Sequence, residues 1–318
     1  MHPAVSVIIP NYNHAPYLRE RIESVVGQKF DDIEVIILDD CSTDNSHAII
    51  EEYRGNPKIS HIKYNQENSG TPFAQWRKGL SLARGKYVWI AESDDMADES
   101  FLSTLVPLLE ANPRAVMAFS GSNMIDSLGN QIPGADWDKF GKRLGLVETY
   151  GSEELIGRKL LRNNLIYNAS MVVFRRDCAP DITPEHLSMK FCGDWLFWSR
   201  LATRGEAVEV CRKLNNFRQH KKKVSTCASK EGKTYTEGLK VVSEMADTLR
   251  LSPIQRKTLA GRICKRLRKF PGLLDSNQEL RSQLNELAST TKLHPPLLAL
   301  IYEIDKLLDF AHLPKQKR

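Results

Sequence analysis

The sequence predicts an α/β fold: a mostly parallel sheet flanked by helices, followed by a helical C-terminal region. Three observations predict it. Short apolar runs alternate with helix-spaced stretches through the first hundred residues, the pattern of βαβ units. Polar and acidic side chains gather right after successive strands, at the edge where open α/β sheets bind ligands. Beyond residue 233 the pattern turns to helix after helix.

The elements follow in order. Val5 to Ile9 is a short buried-strand signal stopped by Pro10, and Leu18, Ile22, Val25 and Val26 recur at helix spacing. Glu34 to Leu38 is the second strand. Ser42 to Ser46 caps a helix that carries Ala48, Ile49 and Tyr53. Ile59 to Tyr64 is the third strand, Ala74 to Ala83 a helix and Tyr87 to Ala91 the fourth strand. Residues 101–111 form a helix stopped near Pro113. Val116–Phe119 and Ala169–Phe174 are further strands, separated by a polar, glycine-rich excursion, and Asp194 to Arg204 is a helix ended by Gly205. Ser252-Pro253-Ile-Gln255 and Ser276-Asn-Gln-Glu279 both fit the capping box, the first with Pro at its first turn. Pro295-Pro296 opens the last helix, with Leu297, Leu300, Ile301, Ile304 and Leu308 on one face. No Gly-x-Gly-x-x-Gly follows the first strand, so a dinucleotide fingerprint is excluded.

The 318 residues are 41% hydrophobic and 26% charged, an ordinary globular composition. No run approaches the roughly 18 apolar residues of a membrane span, and no signal peptide is expected. Six scattered cysteines without a CxxC read as reduced thiols. The expectation is therefore a cytoplasmic protein, in which the sequon Asn168-Ala-Ser170 has no glycan role. Residues 212–270 hold 17 Lys and Arg against 4 Asp and Glu. Such a block faces anionic lipid, a phosphorylated acceptor or nucleic acid. No nucleic-acid motif accompanies it, which ranks membrane or acceptor above nucleic acid. Leu259, Ile263, Leu267 and Phe270 line one helix face, with Arg262, Lys265, Arg266, Arg268 and Lys269 over much of the remainder. This basic amphipathic helix either lies on an anionic membrane surface or packs on the protein with its basic face solvated.

The most informative stretch is Lys86 to Asp95. Strand formers Tyr87, Val88, Trp89 and Ile90 run into Glu92, Asp94 and Asp95. Adjacent carboxylates repel, and they fit a divalent cation held between protein oxygens and substrate phosphates. The alternative is a helix N-cap at Asp94 or Asp95. Three other strand ends add Asn11-Tyr12-Asn13, then Asp39-Asp40 with Ser42, Thr43 and Asp44, then Asn68-Ser-Gly70. Turn chemistry accounts for any one cluster, but it does not require acid pairs after two separate strands. An aromatic ring, amides and two acid pairs on one rim suit a nucleotide diphosphate.

These residues resemble the family 2 glycosyltransferases of the GT-A fold. The resemblance runs from Val5 to about Ser225. It rests on Val5-Ser-Val-Ile-Ile-Pro-Asn-Tyr-Asn13, Leu38-Asp-Asp-Cys-Ser-Thr-Asp44, Asn68-x-Gly70, Gly79-Leu-x-x-Ala-x-Gly85, Ser93-Asp-Asp95, Gly193-Asp-Trp195 and Arg218-Gln-His220, in family order. It implies a catalytic region over 1–232, with a nucleotide-sugar half to about 100 and an acceptor half after it, and a helical, basic region over 233–318.

The resemblance also implies roles. Pro10, Tyr12, Asp39, Asp40, Asn68, Gly70 and Asp94 would line the nucleotide. Tyr12 would stack on the base, Asp39 would accept from a base N–H, and Asp94 would hold the ribose side. Asp95 would ligate Mn2+ or Mg2+, with His220 completing the shell. Asp194 would be the general base that takes the acceptor hydroxyl's proton. Gly193 stands where the family usually has Glu. Trp195 and Asn168 would lie on the acceptor side. The expected activity is inverting, metal-dependent transfer of a hexosyl or N-acetylhexosaminyl group from a UDP-sugar to a glycan or lipid-linked acceptor, as in bacterial surface polysaccharide synthesis. The basic helix would place the protein on the inner membrane face. The rivals are a sugar-1-phosphate nucleotidyltransferase, which would want a basic Gly-rich triphosphate loop after the first strand, and a non-catalytic sugar-binding module.

Overall fold

The structure, a computed structural model, describes residues 2–135, 137–161, 164–219, 232–289 and 294–308. The chain divides into two compact units. One comprises Met1–Ser152, Ile166–Lys190 and Arg200–Lys221, and the other Glu153–Leu165, Phe191–Ser199 and Lys222–Arg318.

The first unit holds the sheet. Its strands are β1 (Val5–Asn11), β2 (Ile33–Asp39), β3 (Ile59–Tyr64), β4 (Tyr87–Ile90), β5 (Met96–Ala97), β6 (Ala115–Ile125), β7 (Val147–Tyr150), β8 (Val172–Arg175) and β9 (Glu206–Arg218). Their order is β3-β2-β1-β4-β8-β6-β9-β5, and β7 also pairs with β9. The strands β3, β2, β1 and β4 run parallel. The direction reverses at β8, which is antiparallel to both β4 and β6. β9 runs parallel to β6. The start of β8 and the ends of β6 and β9 therefore share one edge with the carboxyl end of β4.

β1, β2 and β4 are buried along their whole length, as continuous apolar runs in a parallel sheet should be. The helices α1 (Ala15–Val26), α2 (Ser46–Glu52), α3 (Pro72–Leu82) and α4 (Phe101–Ala111) connect the strands. Leu18, Ile22 and Val25 from α1 join Leu102, Leu105 and Leu109 from α4 in one core with Val7, Ile9 and Trp89. The Gly79 and Gly85 spacing has a packing cause. A Cβ on Gly79 would sit 2.5 Å from the Ile8 side chain, and one on Gly85 2.5 Å from the Ser6 amide.

Three strands escape the sequence reading. β9 is the longest strand among the described residues, yet only its first half, Ala207 to Cys211, is continuously apolar or alternating. β5 and β7 are too short to carry a period. The expected strand at 169–174 begins later, because Asn168 turns 169–171 into a single 3-10 turn by accepting from the Ser170 amide.

The second unit is helical. After α5 (Ser152–Leu155) the chain returns to the first unit, where α6 (Pro184–Ser188) lies; then come the helix α7 (Gly193–Ala202), whose residues 193–199 lie in the second unit, and α8 (Lys233–Thr248), α9 (Pro253–Leu267), α10 (Leu273–Ser276), α11 (Gln278–Leu287) and α12 (Pro295–Leu308). The Ser252–Gln255 capping box forms. The second cap shifts by one residue: Asn277, not Ser276, accepts from the Leu280 amide, because Ser276 closes α10 and donates to Gly272. Leu259 and Leu267 of α9 are buried, and α12 packs on this helix. Lys265 pairs with Glu303 and lies over the Tyr302 ring. The apolar stripe of the basic helix is thus largely covered within its own unit. On α12 the outward residues are Leu297, Leu300 and Ile304. No helix among the described residues is long and apolar enough to cross a membrane.

Candidate active site

The carboxyl ends of β1, β2 and β4 carry the candidate residues. After β1, Tyr12 is 45% exposed and Pro10 is buried opposite Leu38. Asn13 holds a left-handed conformation, φ 56°, and its side-chain oxygen accepts from the Thr43 amide at 2.8 Å. This clamps the β1 loop to the β2 loop. Asp39 is buried and its oxygens are engaged. Oδ1 accepts from Asn11 Nδ2 at 2.7 Å and Ser42 Oγ at 2.6 Å, and Oδ2 from the Ser42 amide at 2.9 Å.

Asp40 is buried too, and it organises the segment before α3. It accepts from Asn65 Nδ2, Ser69 Oγ and Gln75 Nε2 at 2.6–2.7 Å. It also accepts from the Ser69 amide and from Asn68. Asn68 and Gly70 are exposed, and Gly70 takes φ 75° while donating its amide to Asn68 Oδ1. Asp39 and Asp40 thus shape the rim, whereas Tyr12, Asn68 and Gly70 present surface to solvent.

The acid rim after β4 has an inside and an outside. Asp95 is fully buried. Its Oδ2 accepts from Asn168 Nδ2 at 2.7 Å and Ser170 Oγ at 2.8 Å, and its Oδ1 from the Arg218 amide at 3.0 Å. Arg21 Nη2 lies 3.8 Å away. Asp94 is partly exposed beside it. Glu92 accepts from Trp76 Nε1 at 3.1 Å. Burial, then the charges of Asp94 and Asp95, push the Glu92 carboxyl up to about 8. Burial and the Asp94 charge also raise Asp95.

Two buried guanidiniums hold this arrangement: Arg21, which the sequence reading did not single out, and Arg218, which it quoted in a motif without a role. Arg21 donates to the Glu92 carbonyl at 2.8 Å and to Ser170 Oγ. Burial lowers it to about 10. Arg218 donates Nε to the Asp94 carbonyl, Nη1 to the Asp126 carbonyl and Nη2 to Glu20, and it lies 4.7 Å over the Tyr17 ring. A signal for Arg21 exists only in hindsight: a charge on the apolar side of α1, next to Ile22.

The expected metal set divides accordingly. Both oxygens of Asp95, expected as a ligand, accept hydrogen bonds from the protein, and Asp94 beside it is partly exposed. His220 lies outside the described residues. A separate group, Glu148, Glu209 and Cys211, brings potential ligand atoms within 4.8 Å of one another. There Arg143 Nη1 already bonds Glu148 and Glu209 at 2.6 and 2.9 Å, and the Tyr150 hydroxyl bonds both carboxylates. Those acids are already bound by one guanidinium and one hydroxyl of the protein itself.

In the second unit, Asp194 opens α7. Its Oδ1 accepts from the Trp195 amide at 2.7 Å and its Oδ2 from Asn164 Nδ2 at 3.4 Å. Burial pushes its carboxyl up to about 7. The preceding turn is pinned by Glu237, which accepts from the Phe191 and Cys192 amides at 2.8 and 2.9 Å. Trp195 donates its indole N–H to the Leu160 carbonyl, and Trp198 is buried. Asn168, expected on the acceptor side, bonds Asp95 and is 7% exposed.

Comparison with known proteins agrees with this architecture. TuaG of Bacillus subtilis, named for teichuronic acid biosynthesis, is 29% identical over 194 residues, 61% of this chain and 71% of that protein. The glycosyltransferase GlyG of Streptococcus pneumoniae is 33% identical over 162 residues, half of this chain and 51% of its own length. The chain thus spans about half of GlyG. Among solved structures, Staphylococcus aureus TarS 1–349 in complex with UDP-GlcNAc matches with TM-score 0.64 and 18% identity, over 99% of this chain and 90% of that one. The mannosyltransferase PcManGT from Pyrobaculum calidifontis, with GDP-Man and Mn2+, matches with TM-score 0.53 and 16% identity, over 97% and 88%. These two likenesses establish the fold. The family model for Glycosyl transferase family 2 matches residues 6–183, more than half of the chain, and the chain belongs to that family.

Proposed function

We propose that this chain is an inverting, metal-dependent transferase that moves a hexosyl or N-acetylhexosaminyl group from a UDP-sugar to a hydroxyl of a glycan or lipid-linked acceptor. The carrying observation is the acid rim after β4: Asp94 partly exposed, Glu92 raised to about 8, and Tyr12 exposed on the neighbouring strand end. The relatives' names support the polymer class, since TuaG is named for teichuronic acid and TarS as a poly(ribitol-phosphate) β-N-acetylglucosaminyltransferase.

The residues fit a divalent cation. Three carboxylates crowd one strand end, and the guanidiniums beside them donate to the Glu92, Asp94 and Asp126 carbonyls, the Ser170 hydroxyl and the Glu20 carboxylate. The raised Glu92 marks a place where added positive charge is favourable. Asp94 is the carboxylate we assign to hold Mn2+ or Mg2+ with the donor phosphates; Asp95 braces it from inside. When bound, the ion neutralises charge on the departing nucleotide. Tyr12 stacks on the base, and Asn68 and Gly70 border it. Asp39 and Asp40 hold these loops in place.

Asp194 is the proposed general base. It takes the proton from the acceptor hydroxyl as the oxygen attacks the anomeric carbon. The new C–O bond forms as the bond to the diphosphate oxygen breaks, and a single displacement inverts that carbon. A carboxyl raised to about 7 is well matched to this task near neutral pH. The catalytic region is proposed to span 1–232, with 233–318 as a basic helical region. The exposed Lys265, Arg266, Arg268 and Lys269 would draw the protein to an anionic cytoplasmic membrane surface by charge alone.

The test is nucleotide release from UDP-glucose, UDP-GlcNAc, UDP-galactose and GDP-mannose, with and without Mn2+ or Mg2+. Metal-dependent UDP release from at least one donor is expected. Release of pyrophosphate from a nucleoside triphosphate and a sugar phosphate instead would identify a nucleotidyltransferase.

A further inference from the structure

A ring surface stands beside the acid rim, on the side away from Tyr12. Trp137 is the tryptophan most open to solvent among the described residues, at 56%. Its ring meets Tyr167 at 5.0 Å and Phe217 at 6.0 Å between centroids, at 74° and 69°. Tyr167 and Phe217 lie 5.7 Å apart. Neither neighbour is parallel to the indole, so both brace it without stacking on it. The adjoining Asp138 fixes the segment: it accepts from the Ser122 amide at 2.7 Å and from the Tyr167 hydroxyl.

The trio is joined to the acid rim through two residues. Tyr167 precedes Asn168, whose Nδ2 bonds Asp95, and Phe217 precedes Arg218, whose amide bonds the same carboxylate. The sheet order supplies the direction. The base-side residues follow β1 and β2, the acids follow β4, and the trio comes from the segment leading into β8, from β9 and from the connection after β6. A donor laid from Tyr12 to Asp94 leaves the trio on the far side of the sugar.

We propose that Trp137, braced by Tyr167 and Phe217, is a stacking platform for a pyranose ring of the acceptor saccharide. The proposal rests on the transferase reading above. A tryptophan needed only for packing would be covered, since an indole gains most by burial. A pyranose has an apolar C–H face and hydroxyls around its edge, so it covers an aromatic ring while its polar groups stay in water. Ligand sites combine such apolar surfaces with a few placed polar groups.

The experiment uses the full chain labelled with 5-fluorotryptophan, with the Trp137 signal identified by its loss in W137F. Methyl glucoside, methyl N-acetylglucosaminide, lactose and chitobiose are titrated in without nucleotide. The expected result is a saturable shift of the Trp137 signal with at least one saccharide, while the signals of buried Trp76, Trp89 and Trp198 stay. No shift with any of the four overturns the proposal. A second arm reads the saccharide dependence of UDP release. W137A should raise the saccharide KM roughly tenfold with a much smaller change in kcat, and W137F should recover most of it. An unchanged KM in W137A, or a fall in kcat alone, also overturns it. Absence of UDP release from every donor would instead sink the transferase reading, and the nucleotide-free titration would still judge the platform.

Discussion

Asn168 Nδ2 donates to Asp95 Oδ2 over 2.7 Å, and this buried bond ties the entry of β8 to the acid rim of β4. The more buried of the two adjacent aspartates is thus engaged by protein donors on both oxygens, whereas its neighbour, which we propose holds the ion, is partly exposed.

That division separates two variants. Asp95→Ala removes the acceptor for Asn168, Ser170 and the Arg218 amide, and it strands buried Arg21. Removing one partner of a buried pair costs about 3–5 kcal/mol. The denaturation midpoint should fall sharply. Asp94→Ala should keep a near-wild-type midpoint while metal-dependent UDP release is lost. Equal midpoints for the two variants would contradict the division.

Metal removal should act on turnover and not on folding. EDTA is expected to abolish UDP release, with Mn2+ or Mg2+ restoring it, and to leave the melting temperature nearly unchanged. Full turnover in EDTA removes the ion from the reaction.

The raised Asp194 sets a pH dependence. As a base it must be ionised, so transfer should climb as pH rises through about 7 and then level off. Stability runs the other way. A carboxyl raised by burial contributes stability that is complete below its unfolded pKa and lost as pH rises through the folded one. Asp194→Asn should lose transfer by roughly 10²-fold or more, and compare better with wild type in stability at alkaline than at acid pH. A variant with wild-type transfer takes Asp194 out of the mechanism.

Gly261 tests the α9–α12 contact. A Cβ there would run into the Leu298 carbonyl. Gly261→Ala should destabilise the second unit by about 1–3 kcal/mol, the usual cost of overpacking. The loss should appear as a lower first transition on melting. An unchanged melt would mean that the two helices do not hold each other.

Much of this was legible in the sequence. The βαβ strands announce themselves because parallel strands buried on both faces read as apolar runs: Val5–Ile9, Glu34–Leu38 and Tyr87–Ala91. The rim after them is visible because turn chemistry alone does not require acid pairs after two separate strands. Which carboxylate is left exposed was not legible. That depends on donors contributed by residues 168, 170 and 218, more than 70 positions away, and no local pattern reports them. The roles of Arg21 and Arg218 were hidden for the same reason, since each gains its partners only when distant segments meet. β9 was missed because its second half, Arg212 to Arg218, is mostly polar, with only Leu214 and Phe217 apolar and no period between them.

The reversal of strand direction between β4 and β8 also bears on how such a chain can diversify. Everything from β1 to the acid rim is one uninterrupted stretch, so the proposed donor rim can be exchanged as a single cassette. The other half is interleaved with helices of the second unit and cannot be cut out cleanly. Any exchange must still preserve three stitches across the seam, Arg21 to Ser170, Asp95 to Asn168 and Asp95 to the Arg218 amide. Chimaeras that keep these pairings should fold, and those that break them should not, whatever sugar their rims were shaped to hold.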